Sequence, residues 1–150
     1  MLSGEYKSLY DSLLSVIDEN RMFHDPMHTL AFGTDASFYR LIPKLVIKAR
    51  DENEVSTILQ EAQKRKLPVT FRAGGTSLSG QAITDSILVI AGAHWQKHEV
   101  LANGLSIRLQ PGIIGARANA ILAKYGRKIG PDPASINAAQ IGGIAANNAS

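Results

Sequence analysis

Arg72 to Ala82 reads RAGGTSLSGQA, a short run that holds three glycines, three hydroxyl side chains and one fixed cation. It follows a strand-like segment, Pro68 to Phe71. Glycine enters positive φ without a Cβ penalty, and successive backbone N–H groups in such turns form a concave nest for an anion. Thr76, Ser77 and Ser79 add hydroxyl donors, and Arg72 stands near the mouth. That chemistry suits a diphosphate. Two familiar phosphate motifs do not describe it. The nucleoside-triphosphate loop closes on Gly-Lys and then Ser or Thr, and no Lys occurs between Arg72 and Gln96. The dinucleotide fingerprint is G-x-G-x-x-G, whereas this loop is G-G-x-x-x-x-G. Taken alone, the run also reads as a glycine-rich surface turn without a ligand.

A second segment, GPDPASINAAQIGGIAANNAS, runs from Gly130 to Ser150. Pro131 and Pro133 flank Asp132 and set a rigid turn, since proline locks φ and removes a donor. Gly142-Gly143 follows, and then small residues, among them Ala146 and Asn147. Such a surface lets a flat ligand lie on backbone. Tight packing of a helix on a sheet selects the same residue types.

Together the two segments resemble the flavoproteins of the vanillyl-alcohol oxidase and p-cresol methylhydroxylase type, nearest in pattern to D-lactate, glycolate and D-2-hydroxyglutarate dehydrogenases. GTDASFYRLIPKLVIKARDENEV (Gly33 to Val55) is similar to the entry of their FAD domain. FRAGGTSLSGQ is similar to their pyrophosphate loop, and GPDPAS…IGGIAANNAS to their second flavin-contacting stretch. The resemblance implies that the backbone from Gly74 through Gly75, Thr76, Ser77, Leu78 and Ser79 to Gly80 cradles an FAD diphosphate. Thr76 and Ser77 would act as hydroxyl donors, and Gln81 would reach the flavin or its ribityl chain. Pro111 and Gly112 would stand near the adenine or ribose. Pro131, Asp132, Ser135, Gly142, Gly143, Ala146 and Asn147 would line the flavin and the ribityl–diphosphate path. Arg72 has two readings: a phosphate partner, or an ion pair with Asp51 or Asp85. Some relatives place a flavin-linking histidine after the paired glycine. Thr76 stands there instead, so FAD is expected to be non-covalent at this loop.

The resemblance also implies a redox role. The full enzyme would move a hydride from a small 2-hydroxy acid to flavin and pass electrons to a quinone, a cytochrome or an iron–sulfur module. This chain would be its N-terminal, truncated piece: residues 1–36 a helical extension, residues 37–150 the first part of the flavin domain. Catalytic residues are then expected beyond residue 150, and the piece alone is expected to be inactive and to self-associate. A non-redox nucleotide-binding or interaction module is the alternative from another class. A related FAD enzyme acting on a sugar or aldonolactone is the third.

Composition narrows the field. Hydrophobic residues make up 45% and charged residues 19% of the 150, with no cysteine and a net charge of +3. Disulfides and thiolate metal sites are excluded within these 150 residues. The cations are scattered apart from Lys64-Arg65-Lys66, which argues against nucleic acid. No apolar run approaches the roughly 18 residues of a spanning helix, and the N-terminus lacks the build of a signal peptide. A cytoplasmic protein is expected, or one held at a membrane surface through a missing part. His24 and His28, like His94 and His98, are spaced for metal, but Pro26 and a loop-to-strand change argue against either pair. Asn148-Ala149-Ser150 matches a glycosylation triplet by chance.

These motifs need a frame. Apolar spacing predicts a helix over Tyr6 to Asp18, standing outside the flavin domain, then an irregular stretch from Met22 to Ser37. Leu45 to Ala49 reads as a strand, Glu52 to Lys66 as a helix with apolar face Val55, Ile58, Leu59 and Ala62, and Pro68 to Arg72 as the next strand, a βαβ unit ending at the glycine loop. A ligand belongs at the carboxyl end of such a strand. Ser86 to Gly92 reads as a buried strand, and Asn103-Gly104 as a hairpin turn. Helices follow over 114–125, closed by Gly126, and over 139–148. The fold class is α+β: a small βαβ layer, then the start of a second, largely antiparallel layer.

Overall fold

A computed structural model describes residues 2–149; Ser150, which ends both the second motif and the glycosylation-type triplet, lies outside them. The chain forms two compact units. One runs through Arg72 and resumes at Ser77–Ile90; the other joins Ala73–Thr76 to the chain from Ala91 onward.

In the first unit, α1 (Gly4–Leu13) leads through a 3-10 turn to β1 (Met22–Phe23) and α2 (Pro26–Ala31). Then come β2 (Leu45–Lys48), α3 (Glu52–Lys64), β3 (Val69–Arg72) and β4 (Ile87–Ile90). The sheet order is β1-β2-β4-β3, with β2, β4 and β3 parallel and β1 antiparallel at one edge. The expected βαβ unit is present, with the later strand β4 inserted between its two strands. Ile87, Leu88 and Val89 are fully buried, which explains why β4 reads as an unbroken apolar run. Leu45, Ile47, Ile87 and Val89 share a core with Leu9 and Leu13 of α1 and with Ile58 and Ala62 of α3. The N-terminal helix packs in this same core. Leu59, expected on the buried face of α3, is exposed.

The stretch expected to be irregular holds β1 and α2. Proline breaks a helix interior but suits its first turn, where the missing N–H has no partner to lose. Pro26 occupies that position, and the Asp25 carboxylate accepts from the His28 N–H at 3.1 Å to cap the helix. Asp51 caps α3 in the same way, accepting from Glu54 N at 3.0 Å.

In the second unit, β5 (His98–Leu101) and β6 (Ser106–Leu109) pair antiparallel, followed by α4 (Gly115–Ala123) and α5 (Ile141–Ala146). The hairpin turn is longer than a two-residue Asn-Gly loop. Leu101 pairs with Ser106, and Ala102, Asn103 and Gly104 all have positive φ. Gly126 has φ +66° after α4, the left-handed stop expected there. The last helix is shorter than its composition predicts, because Gln140 forms a β-bridge with Ile114 and Gly115 N donates to Ala139 O at 2.9 Å. Ile113, Ala118, Leu122, Ala139 and Ile144 are buried in this unit. The architecture is thus α+β, a mixed sheet followed by an antiparallel one.

Candidate functional site

The glycine loop begins where β3 ends, and its two halves belong to different units. In the first unit Arg72 is buried, and its Nε and Nη2 donate to the Ala82 carbonyl at 2.8 and 2.5 Å. Burial pushes the guanidinium pKa down, with the Asp35 charge opposing it. Asp35 accepts from Ser37 N at 2.8 Å and Ala82 N at 3.4 Å. Burial alone would raise its pKa; these hydrogen bonds and the Arg72 charge outweigh that and leave it lowered. Neither expected carboxylate partner takes Arg72: Asp51 serves as the α3 cap and faces Arg50 at 3.5 Å, and Asp85 is exposed. Arg72 closes the base of the loop.

Ser77 is also used internally. Its Oγ accepts from Ser79 N at 3.2 Å and Gln81 N at 3.3 Å, and donates to Gln81 Oε1 at 2.5 Å. Such a hydroxyl turn fixes loop shape locally. Gly80 has φ +73° and lies against Tyr39, whose Cδ2 would stand 3.0 Å from an added Cβ. Leu78 is 76% exposed.

The second unit brings Gly74 against the far motif. A Cβ on Gly74 would lie 3.0 Å from Ala138 O, 3.4 Å from Gln140 N and 3.5 Å from Gln140 Cγ. Two segments distant in sequence, both glycine- and alanine-rich, therefore meet backbone to backbone. Gly75 has φ +65° and Thr76 is half-buried beside it. Gly112 and Gly142 serve close packing: an added Cβ on Gly112 would fall 1.9 Å from Gly92 O, and one on Gly142 2.7 Å from Pro111 Cβ. Pro111 O accepts from Gly142 N at 2.9 Å. Gly143 differs from its neighbour, since a Cβ there would meet nothing within 4 Å. Ala146 and Asn147 are exposed, as is Pro131. Asp132 pairs with Lys128 Nζ at 2.9 Å, and the Ser135 carbonyl accepts from Ala138 and Ala139 N–H in a tight turn.

Sequence reasoning missed two glutamines here. Gln96 Nε2 donates to Gly112 O at 2.5 Å and its Oε1 accepts from Arg117 at 3.2 Å. Among the described residues, the buried side-chain polar atoms without a hydrogen-bond partner are Arg21 Nε and Gln140 Oε1. Gln140 stands directly before Ile141-Gly142-Gly143, a long polar side chain in a run of small ones, and that contrast was the available signal. His28 Nδ1 lies 2.7 Å from Asp25 and its ring stacks on Phe23, while His24 meets Tyr10 edge-on.

A mixed sheet, an antiparallel hairpin and a glycine loop leaving a strand end make up a fold of the p-cresol methylhydroxylase type. The chain belongs to the FAD binding domain family, which matches residues 43–150. It is 27% identical to a D-2-hydroxyglutarate dehydrogenase of Pseudomonas putida over 99% of this chain and 15% of that one. It is 31% identical to the glycolate oxidase subunit GlcD of Escherichia coli over 75% of this chain and 23% of the relative. A D-lactate dehydrogenase of Archaeoglobus fulgidus is 31% identical over 70% of this chain and 24% of its own. Among solved structures, an alkyldihydroxyacetonephosphate synthase superposes with TM-score 0.79 at 19% identity, covering 93% of this chain and 28% of that one. A substrate-bound p-cresol methylhydroxylase gives 0.66 at 9% identity, covering 84% and 26%. The chain spans between 12% and 23% of the length of the first relatives it matches.

Proposed function

We propose that this chain holds FAD non-covalently as part of a flavin-dependent oxidoreductase that oxidises a small 2-hydroxy acid. The observation that carries the reading is the approach of Gly74 to Ala138 and Gln140, which puts a strand-end glycine loop against the second glycine-rich stretch. In the second unit, the backbone of Gly74, Gly75 and Thr76 is assigned to the diphosphate, and Gly143, Ala146 and Asn147 to the flavin side. The open space at Gly143 suits a flat ring lying on backbone. Pro111, Gly112 and Gly142 act indirectly, by packing that holds the α5 segment in place. In the first unit, Ser77 shapes its half of the loop by accepting from the Ser79 and Gln81 N–H groups, Gly80 turns it at φ +73°, and Arg72 holds the Ala82 carbonyl behind it. Bound flavin supplies the hydride acceptor. The chain's own share is binding, orientation and exclusion of water. Thr76 offers no nucleophile of the kind that links a flavin covalently.

The substrate class is supported by three relatives named for D-2-hydroxyglutarate, glycolate and D-lactate. The electron acceptor, a quinone, cytochrome or iron–sulfur module, and the placement of the catalytic residues beyond residue 150 belong to the same proposal. The boundary is placed at residue 37, with residues 1–36 as an extension packed on the flavin domain.

FAD mixed with the chain is expected to co-elute on gel filtration in about equimolar amount, and acid precipitation is expected to release it into the supernatant. A colourless protein peak would overturn the FAD assignment, and flavin retained in the acid pellet would overturn the non-covalent one. In the protein as it occurs in its source cells, anaerobic addition of D-lactate, glycolate or D-2-hydroxyglutarate is expected to bleach the flavin absorbance. Bleaching by none of the three would remove the 2-hydroxy-acid assignment.

A further inference from the structure

We infer that Gln140 is a cofactor-binding residue, its side-chain oxygen accepting a hydrogen bond from a sugar-type hydroxyl adjoining the FAD diphosphate. This rests on the flavin reading above. Gln140 sits between the buried Ala139 and the first residue of α5, its backbone bridged to Ile114. That bridge sets the direction in which the side chain leaves the backbone. The backbone N and Cγ of Gln140 lie within contact of the position a Gly74 Cβ would take. Its Oε1 is buried and has no hydrogen-bond partner, alone with Arg21 Nε in this respect among the described residues.

A buried acceptor without a donor is a cost to the folded chain. Arg21 has an evident reason to bear such a cost, because its Nη1 and Nη2 are held by Glu54 at 2.6 and 2.7 Å. Gln140 has no comparable bond that a smaller or apolar residue would forfeit. The donor is therefore sought in the ligand. A phosphate diester offers only acceptors, so Oε1 does not serve the diphosphate itself. The groups that adjoin a flavin-nucleotide diphosphate and carry donors are the ribityl chain and the ribose, both through hydroxyls.

The test uses Gln140→Met, which keeps length and bulk and removes both amide atoms. Without ligand the variant is expected to melt at the same temperature or higher, because an unpaired acceptor has been taken out of the interior. Its FAD affinity by calorimetry is expected to fall about tenfold, the size of one lost hydrogen bond. Titrations with FMN and with ADP separate the two hydroxyl sources. A loss confined to FAD and FMN marks the ribityl chain, and a loss confined to FAD and ADP marks the ribose. A variant that melts lower and binds FAD as the parent does would overturn the assignment and leave Gln140 a structural residue. A parent chain that binds no FAD would overturn the flavin reading itself, and this assignment with it.

Discussion

Adjacent glycines with the same appearance in sequence have different surroundings in this chain. Gly142 is fixed by packing, because a Cβ would press on Pro111 at 2.7 Å, whereas Gly143 faces open space. Gly142→Ala is expected to destabilise the chain by about 1–3 kcal/mol through overpacking. Gly143→Ala is expected to raise the stability of the ligand-free chain by about 0.5 kcal/mol, as for any helical glycine given a methyl group, and to weaken FAD binding. Urea unfolding and an FAD titration of both variants check the pair. Equal effects would mean that both glycines pack or both face ligand. The sequence does not distinguish the two, since composition carries no record of which face of a backbone another segment occupies. The same limit applied to Arg72. Its charge and place at the loop were readable, but its partner, the Ala82 carbonyl, is a backbone atom that no side-chain pattern announces.

At the scale of elements, the buried pair of Arg21 and Glu54 ties the turn before β1 to the start of α3. Arg21 Nη1 also donates to Lys48 O at 3.0 Å, and Arg50 N donates to Glu54 Oε2 at 2.7 Å. Burial alone would raise the Glu54 pKa; the hydrogen bonds and charge of Arg21 and the Arg50 N–H outweigh it and leave it lowered. A carboxylate depressed in the folded state contributes stability that is complete above its ordinary value of 4.5 and is lost as pH falls through the folded value. Glu61 behaves alike, its pKa lowered to about 2 by hydrogen bonds from Lys64 and then Arg65. Unfolding free energy is therefore expected to be flat above about pH 5 and to decline toward pH 2. Arg21→Met leaves Glu54 buried without its partner, for a loss of about 3 kcal/mol at neutral pH. It should also flatten the acid slope. A slope unchanged in that variant would assign the acid sensitivity elsewhere. Strong periodicity and capping made α3, β2 and β3 readable, and the apolar run did the same for β4. The insertion of β4 between β2 and β3 was not readable, because parallel pairing order is set by long-range packing. α2 is hidden for a local reason: proline by type breaks a helix interior, and only the Asp25 cap makes Pro26 a first-turn residue.

Both units bury apolar side chains, and several large apolar residues are exposed. Phe38, Met27, Leu78 and Leu105 are each more than two-thirds exposed. Fold class and family were open to a reading of the sequence because three motifs occur in order. The meeting of Gly74 with residues 138–140 was not, since nothing in either segment names the other. That meeting makes FAD binding by this chain the central claim, and Trp95 reports on it directly. It is the only tryptophan, it is 6% exposed, and its carbonyl accepts from Gly112 N at 3.0 Å. Flavin absorption overlaps indole emission, so bound FAD drains Trp95 fluorescence. Titrating the chain with FAD is predicted to quench that emission saturably near one equivalent, with excess ADP reversing part of the effect. A decline that never saturates and that ADP leaves untouched would contradict the account.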